Sequence, residues 1–251
     1  MTNMTCLAAA ATLTLVAVCT AAEEATMHGI PFKPDPPPAI DGRLDEWEGV
    51  PSVGTADTRG HCAYGQPKWT SAADLSARVW LAWRNEYLYL AADVTDNQHH
   101  QTLRDRAMFR GDHVELYLDL TPDAPPGRSF MGAGQVQFGF SPGNLQQTGD
   151  PLADIPAEAI VFRPEDSAAV GVLVAAQKTD KGYAVEAAIP WPLIGQLAGK
   201  PGLRPAQGTT LGLEVAVSDT DGSTPAQEKM LTLRPVPWQR TGAYIIASLA
   251  A

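Results

Sequence analysis

SARVWLAWRNEYLYLAADVTD, residues 76–96, carries two runs of period-two alternation separated by a polar turn. Val79, Leu81 and Trp83 alternate with Arg78, Trp80 and Ala82. After the turn at Asn85-Glu86, Leu88, Leu90, Ala92 and Val94 alternate with Tyr87, Tyr89 and Asp93. Successive side chains of a strand point to opposite faces, so this pattern predicts a β-hairpin with one face turned to a core. Trp47, Trp80, Trp83, Tyr87 and Tyr89 could form an aromatic platform, but their place on a periodic hairpin favours core or cross-strand packing.

The same pattern repeats on both sides. HVELYLDL (113–120) sets Val114, Leu116 and Leu118 against His113, Glu115, Tyr117 and Asp119, and QVQFGFSPG carries Val136, Phe138 and Phe140 on one face. A loop rich in proline and glycine joins them at 121–134, and 141–166 reads as a turn-rich excursion from the sheet. AAVGVLVAAQKTDKGYAVEAAIPW predicts a second hairpin turning at 179–182, with Val170, Val172 and Val174 on one arm. PWPLIGQLAG offers one short helical turn, with Trp191 as a packed corner, and TTLGLEVAVSDTDG, MLTLRP and AYIIASLA are further strands. Strand following strand with nearly no helix predicts an all-β fold, a single antiparallel β-sandwich of jelly-roll-like form.

The chain has 251 residues and a formal net charge of −10, with no basic run to offset it, which excludes nucleic acid as a partner. Residues 1–22 are uncharged, apolar and end in small residues, as a secretory signal peptide does, although a basic n-region is missing. LVAVC at 15–19 also resembles a lipobox, which would attach lipid at Cys19 and hold the protein to the cell envelope through its N-terminus. The protein is therefore expected to be secreted or periplasmic. Residues 23–38 read as a proline-rich linker, leaving 39–251 as the folded domain. With Cys6 and Cys19 removed, Cys62 would be the lone thiol, a loop cysteine unable to staple the fold.

PAIDGRLDEW (38–47), the hairpin at 77–96, GDHVELYLDL (111–120), KGYAVEAAIPW (181–191) and LGLEVAVSDTDG (211–222) together resemble the family 9 carbohydrate-binding modules and their wider superfamily. The order and rough spacing match from residue 38 to about 249. The resemblance implies a β-sandwich of about ten strands and non-catalytic binding of a polysaccharide or oligosaccharide. In sugar-binding members two tryptophans clamp the terminal ring, while a carboxylate, an arginine and amides bond its hydroxyls. Carried over by motif, the clamp falls on Phe109 and Trp238 and the carboxylate on Glu115. The arginine falls at Gly139 or, in another frame, at Gln137, and an expected amide becomes Ala216. Sugar faces are apolar and their hydroxyl rims need paired donors and acceptors, which is why these residue types suit the task.

The acidic and histidine-bearing segments also suit other chemistries. Asp112, Glu115, Glu186 and Glu214 could include a glycosidase pair, but carboxylates on the polar face of a sheet also serve simply to keep it wet. DVTDNQ (93–98) and SDTDGS (218–223) resemble acidic turns that hold a structural calcium. His99, His100 and Met108 suggest haem ligands, although adjacent histidines of a strand point apart. The alternative to sugar binding is a structural or adhesion module at the cell envelope.

Overall fold

The computed structural model describes residues 28–122, 132–146, 148–150, 152–222, 224–235 and 243–251. Two sheets pack face to face. One is built on β4 (Leu75–Trp83), β5 (Tyr87–Asp96), β10 (Gly182–Pro190) and β9 (Leu173–Lys178), with the short β2 (Gly54–Ala56) at its edge, in the order β2-β4-β5-β10-β9. The other runs β1 (His28–Ile30), β13 (Ile245–Leu249), β11 (Thr210–Asp219), β6 (His113–Asp119), β7 (Gln135–Ser141) and β8 (Glu158–Arg163). From β11 it branches to β12 (Lys229–Thr232) and β3 (Cys62–Tyr64). All pairings are antiparallel except β1 with β13. The single α-helix among the described residues is α1 (Trp191–Leu197), with proline in its first turn.

The alternation read from the sequence places the core. Val79, Leu81, Leu88, Leu90, Val185 and Ile189 of one sheet meet Val114, Leu116, Phe138, Phe140, Leu213 and Val215 of the other. Trp191 is buried in the same core, its indole N–H donating to the Arg84 carbonyl at 2.8 Å, so the packed corner is as expected. Trp80, Ala82, Tyr89 and Ala91 lie on the outer face of the β4–β5 hairpin, and Trp47, Ile40 and Leu44 cover them. The residues of the sequence 38–47 thus form a cap over that sheet.

Several expectations change. His28–Ile30 lies in the segment expected to be a linker, yet it forms β1, Ile30 is fully buried, and Phe32 stacks edge-on against Trp83 at 5.1 Å. Thirteen strands are formed among the described residues, and the short β1, β2 and β3, three residues each, are too brief to show a period. The excursion at 141–166 rejoins the sheet as β8, paired with β7 through a register shift at Gln137/Phe138 that blurs its alternation. The arm expected around Val170 begins only at Leu173, and Val170 is exposed. Cys62 sits half-buried on β3 opposite Leu231, and burial pushes its thiol up, away from a reactive thiolate. Its neighbour His61 is engaged instead at the Thr58 turn, with Nδ1 3.0 Å from Thr58 Oγ1.

The greatest departure concerns the polar face of the β6–β7–β11 sheet. Both faces of β6 and β7 are buried, so His113, Glu115, Asp119, Gln135, Gln137 and Glu214 are enclosed rather than wet. Enclosed polar groups must be paired, and each of these has a partner.

Candidate functional site

Of the residues that the motif reading singled out, Phe109, Glu115 and Gln137 converge on this covered face. Arg104 precedes a 3-10 turn over Asp105–Arg110 that ends at Gly111 and delivers the chain into β6. Gln101 holds the turn from beneath, its amide donating to the carbonyls of Met108 at 3.0 Å and Asp112 at 2.9 Å. Met108 is fully buried and anchors the turn, which leaves the next residue, Phe109, 45% exposed. Phe109 thus stands half-exposed beside the packed Met108.

Phe109, Glu115 and Gln137 line one cavity of about 400 Å³, together with Arg106, Tyr117, Phe162, Arg163, Gln227 and Met230. That volume lies in the range of about 300–1,000 Å³ usual for small-molecule sites. Glu115 is its polar centre. Its carboxylate accepts from the Gln137 amide at 3.0 Å and from the Tyr117 hydroxyl, and lies 2.9 Å from His113 Nε2. His113 is fixed in turn by the Gly111 carbonyl, 2.7 Å from Nδ1. Burial first, and then the neighbouring Glu115 charge, push the Tyr117 phenol well above its ordinary pKa of 10.0, so it remains a proton donor. Carboxylate, phenol and amide therefore form a preorganised ledge at the base of an aromatic-edged cleft.

The expected arginine position explains itself here. A Cβ on Gly139 would lie 2.3 Å from Phe162 Cε2 and 2.8 Å from Met108 Cε. The Phe162 ring of β8 occupies the space in which a β7 side chain would stand. Arg106 lies over that ring at 5.9 Å, its guanidinium donating to the carbonyls of Val161 and Phe162 at 3.2 Å. Arg163 is set opposite Gln137 by the β7–β8 register. Arg106 from the turn and Arg163 from β8 thus both line the cleft, the Arg163 guanidinium being paired with Glu165. The motif reading missed Arg106, Tyr117, Phe162 and Arg163. Arg106 could have been found, since it stands in the same short segment as Phe109, whereas Phe162 and Arg163 depend on the pairing of β8. Ala216, opposite Glu115 on β11, packs with Tyr117, Met230 and Tyr244. Trp238 lies outside the described residues.

The remaining carboxylates of the glycosidase reading have other work. Glu186, on the opposite sheet, accepts from the Trp47 indole at 2.7 Å and from the backbone of Gly42 at 2.9 Å and Asp41 at 3.2 Å. Glu214 accepts from the backbone of Val215 at 2.9 Å, Leu233 at 2.8 Å and Arg234 at 3.2 Å. Burial pushes the Glu214 carboxyl up to about 8 despite these donors. The folded chain then holds a proton there that the unfolded chain releases near 4.5. This contribution to stability is full below 4.5 and is lost as pH rises toward about 8. Denaturant unfolding of Glu214→Gln at pH 5 and pH 8.5 should show a flatter pH dependence than the parent; an unchanged slope would place the titration elsewhere.

A larger cavity of about 920 Å³ is lined by Asp96, His99 and Lys181, and no phenylalanine, tyrosine or tryptophan lines it. The smaller cavity, in contrast, combines aromatic edges, Phe109 and Phe162, with convergent polar groups.

A two-sheet sandwich with an aromatic-edged polar cleft on one sheet has the architecture of a ligand-binding module. The chain belongs to the family described as "Carbohydrate family 9 binding domain-like", whose profile matches residues 40–241. Among curated proteins it is 27% identical over 186 residues to Exoglucanase XynX of Acetivibrio thermocellus and 25% identical over 186 residues to Endo-1,4-beta-xylanase A of Thermoanaerobacterium saccharolyticum. Each match takes in 73% of this chain but only 13% of the relative's length. Among solved structures, a carbohydrate binding module family 9 from Caldicellulosiruptor kristjanssonii in complex with cellotriose superposes with a TM-score of 0.63 at 18% identity, covering 90% of this chain and 94% of that one. The same protein with glucose gives a TM-score of 0.61 at 18% identity, over 88% and 94%.

Proposed function

We propose that this protein is an exported, non-catalytic module that binds the end of an oligosaccharide or polysaccharide of glucose-like units in the cleft at Glu115. The observation that carries this reading is the convergence of an exposed aromatic, Phe109, with the buried Glu115–Tyr117–Gln137 ledge in one cavity. A pyranose ring has apolar C–H faces and a rim of hydroxyls; Phe109 offers the first a surface, and the ledge and Arg106 offer the second its partners. The sugar complexes of the family 9 structures support the substrate class. Trp238 is assigned by motif as the second wall of the clamp. The apolar segment at residues 1–22 serves export, with lipid at Cys19 as a means of retention at the envelope.

Calorimetric titration with cellotriose, glucose and xylo-oligosaccharides tests the reading. Phe109→Ala should weaken binding about tenfold, the loss of one stacking contact of about 1.4 kcal/mol. Glu115→Gln should cost at least as much, because its amide end turns a donor toward the donors it now accepts from. A folded parent protein that binds none of these sugars would instead favour a structural or adhesion role at the envelope.

A further inference from the structure

Glu115 meets three donors among the described residues, and their placement decides which of its oxygens a ligand can use. An ionised carboxylate has about four lone-pair sites, shared between its two oxygens. The Tyr117 hydroxyl and the Gln137 amide, the latter at 3.0 Å, both donate to Oε2 and fill it. Oε1 faces His113 Nε2 alone, at 2.9 Å. The open acceptor direction of Glu115 is therefore on Oε1, the atom beside His113.

The imidazole is fixed from both ends. His113 is fully buried, with Nδ1 2.7 Å from the Gly111 carbonyl and Nε2 on the Glu115 carboxylate. A carbonyl can only accept, so Nδ1 carries a proton; a carboxylate can only accept, so Nε2 carries one as well. A singly protonated ring would set a bare nitrogen against an oxygen lone pair at 2.9 Å. The doubly protonated ring gives Glu115 a charge-assisted hydrogen bond, and the buried pair is neutral as a whole. Phe162 closes the flank of the imidazole edge-on, with 6.2 Å between ring centroids.

The far anchor of the ring belongs to the turn that carries the exposed aromatic. Gly111 ends the 3-10 turn Asp105–Arg110, which bears Arg106 and Phe109. A Cβ on Gly111 would lie 2.6 Å from Oε1 of Gln101, the residue that holds this turn from beneath, so the carbonyl has little room to shift. His113 thus ties the position of the turn to the position of the carboxylate.

We propose that His113, as a buried imidazolium, is the positioning residue of the cleft, aiming Glu115 Oε1 at one hydroxyl of the bound sugar. This role rests on the sugar-binding function proposed for the cleft. With Oε2 filled from within the protein, the carboxylate takes a single hydroxyl rather than a vicinal pair.

The test has two arms, both on the full chain. In the ligand-free protein, ¹⁵N NMR of the imidazole rings near neutral pH should find a proton on each nitrogen of His113. Only one ring proton there would overturn the proposal. This arm needs no variant, so it decides even where a substitution unfolds the chain. In the second arm, cellotriose is titrated calorimetrically into the parent, His113→Gln, His113→Asn and His113→Leu. A glutamine amide reaches to where Nε2 stands and keeps the donor to Glu115, whereas an asparagine amide reaches only to where Nδ1 stands and keeps the donor to Gly111. His113→Asn and His113→Leu should weaken binding about tenfold, and His113→Gln about threefold or less. Circular dichroism separates loss of binding from loss of fold. Equal weakening by Gln and Asn in folded variants would reduce the ring to packing and overturn the proposal. A parent that binds no cellotriose, with both ring protons present, would overturn the sugar-binding function and the role of His113 with it.

Discussion

Lys229→Met is expected to destabilise the domain by about 3–5 kcal/mol, the usual consequence of removing one partner from a buried ion cluster. The side chain of Lys229 is wholly buried, and Asp74 and Asp219 beside it are nearly so. Methionine matches the volume of the stem, so the loss isolates the charge. Burial alone would depress the ammonium, but Asp221, Asp74 and Asp219 outweigh it and hold Lys229 charged, above the ordinary lysine range. In a domain of this size the change corresponds to a fall in Tm of about 6–20 °C. The effect also has a pH signature. Burial would raise the Asp74 carboxyl, yet Lys229 and the Thr70 N–H outweigh it and hold it below its ordinary 3.8. Its contribution is therefore present above 3.8 and lost as pH falls through the lower folded value. Calorimetry of the parent should show that acid-side loss, and Lys229→Met should lack it. A variant as stable as the parent at pH 7 would show that the carboxylates need no ammonium.

Glu186→Ala should cost about 3 kcal/mol or more, because it strips three donors at once. The Trp47 indole and the Gly42 and Asp41 N–H groups all converge on this carboxylate, which is fully buried on the outer face of its sheet. Gly42 cannot be replaced to compensate: its φ is +83°, and a Cβ there would lie 2.7 Å from the Ala176 carbonyl carbon. Glu186→Gln keeps an acceptor and should lose less. Denaturant midpoints and tryptophan fluorescence report both stability and release of Trp47. If Glu186→Ala retained the parent's midpoint and Trp47 emission, the cap formed by residues 38–47 would not depend on this carboxylate.

The fold was legible because its signal is local. In ARVWLAW and EYLYLAADV the alternation of two per residue pair states which side chains face the core, and β4 and β5 pair in the register this implies, Val79 opposite Ala92 and Leu81 opposite Leu90. The motif order carried Glu115 and Gln137 into one cleft for the same reason, since strand position fixes the face, and Phe109 reaches it from the turn that leads directly into β6. What alternation does not encode is whether the polar face is open to water. Glu115, Glu186 and Glu214 lie on faces that alternation reads as polar, yet all three are enclosed and hydrogen-bonded, because the turn at 105–110 lies by Glu115, the segment 38–47 covers Glu186, and the backbone of 233–234 after β12 donates to Glu214.

The cleft's second aromatic shows the same limit. Nothing near Gly139 announces that Phe162 lies against it, since the contact arises only when β8 pairs with β7. Likewise DVTDNQ and SDTDGS look alike as acidic turns, but one meets His99 and Asp112 while the other meets Lys229. The sequence by itself determined the longer alternating strands, their buried faces and the family, since each rests on periodicity or on motifs of neighbouring residues, whereas β1, β2, β3 and β8 form only through their tertiary pairing. Only the tertiary structure decided which charge each carboxylate faces, because electrostatic partners are chosen by distance in space.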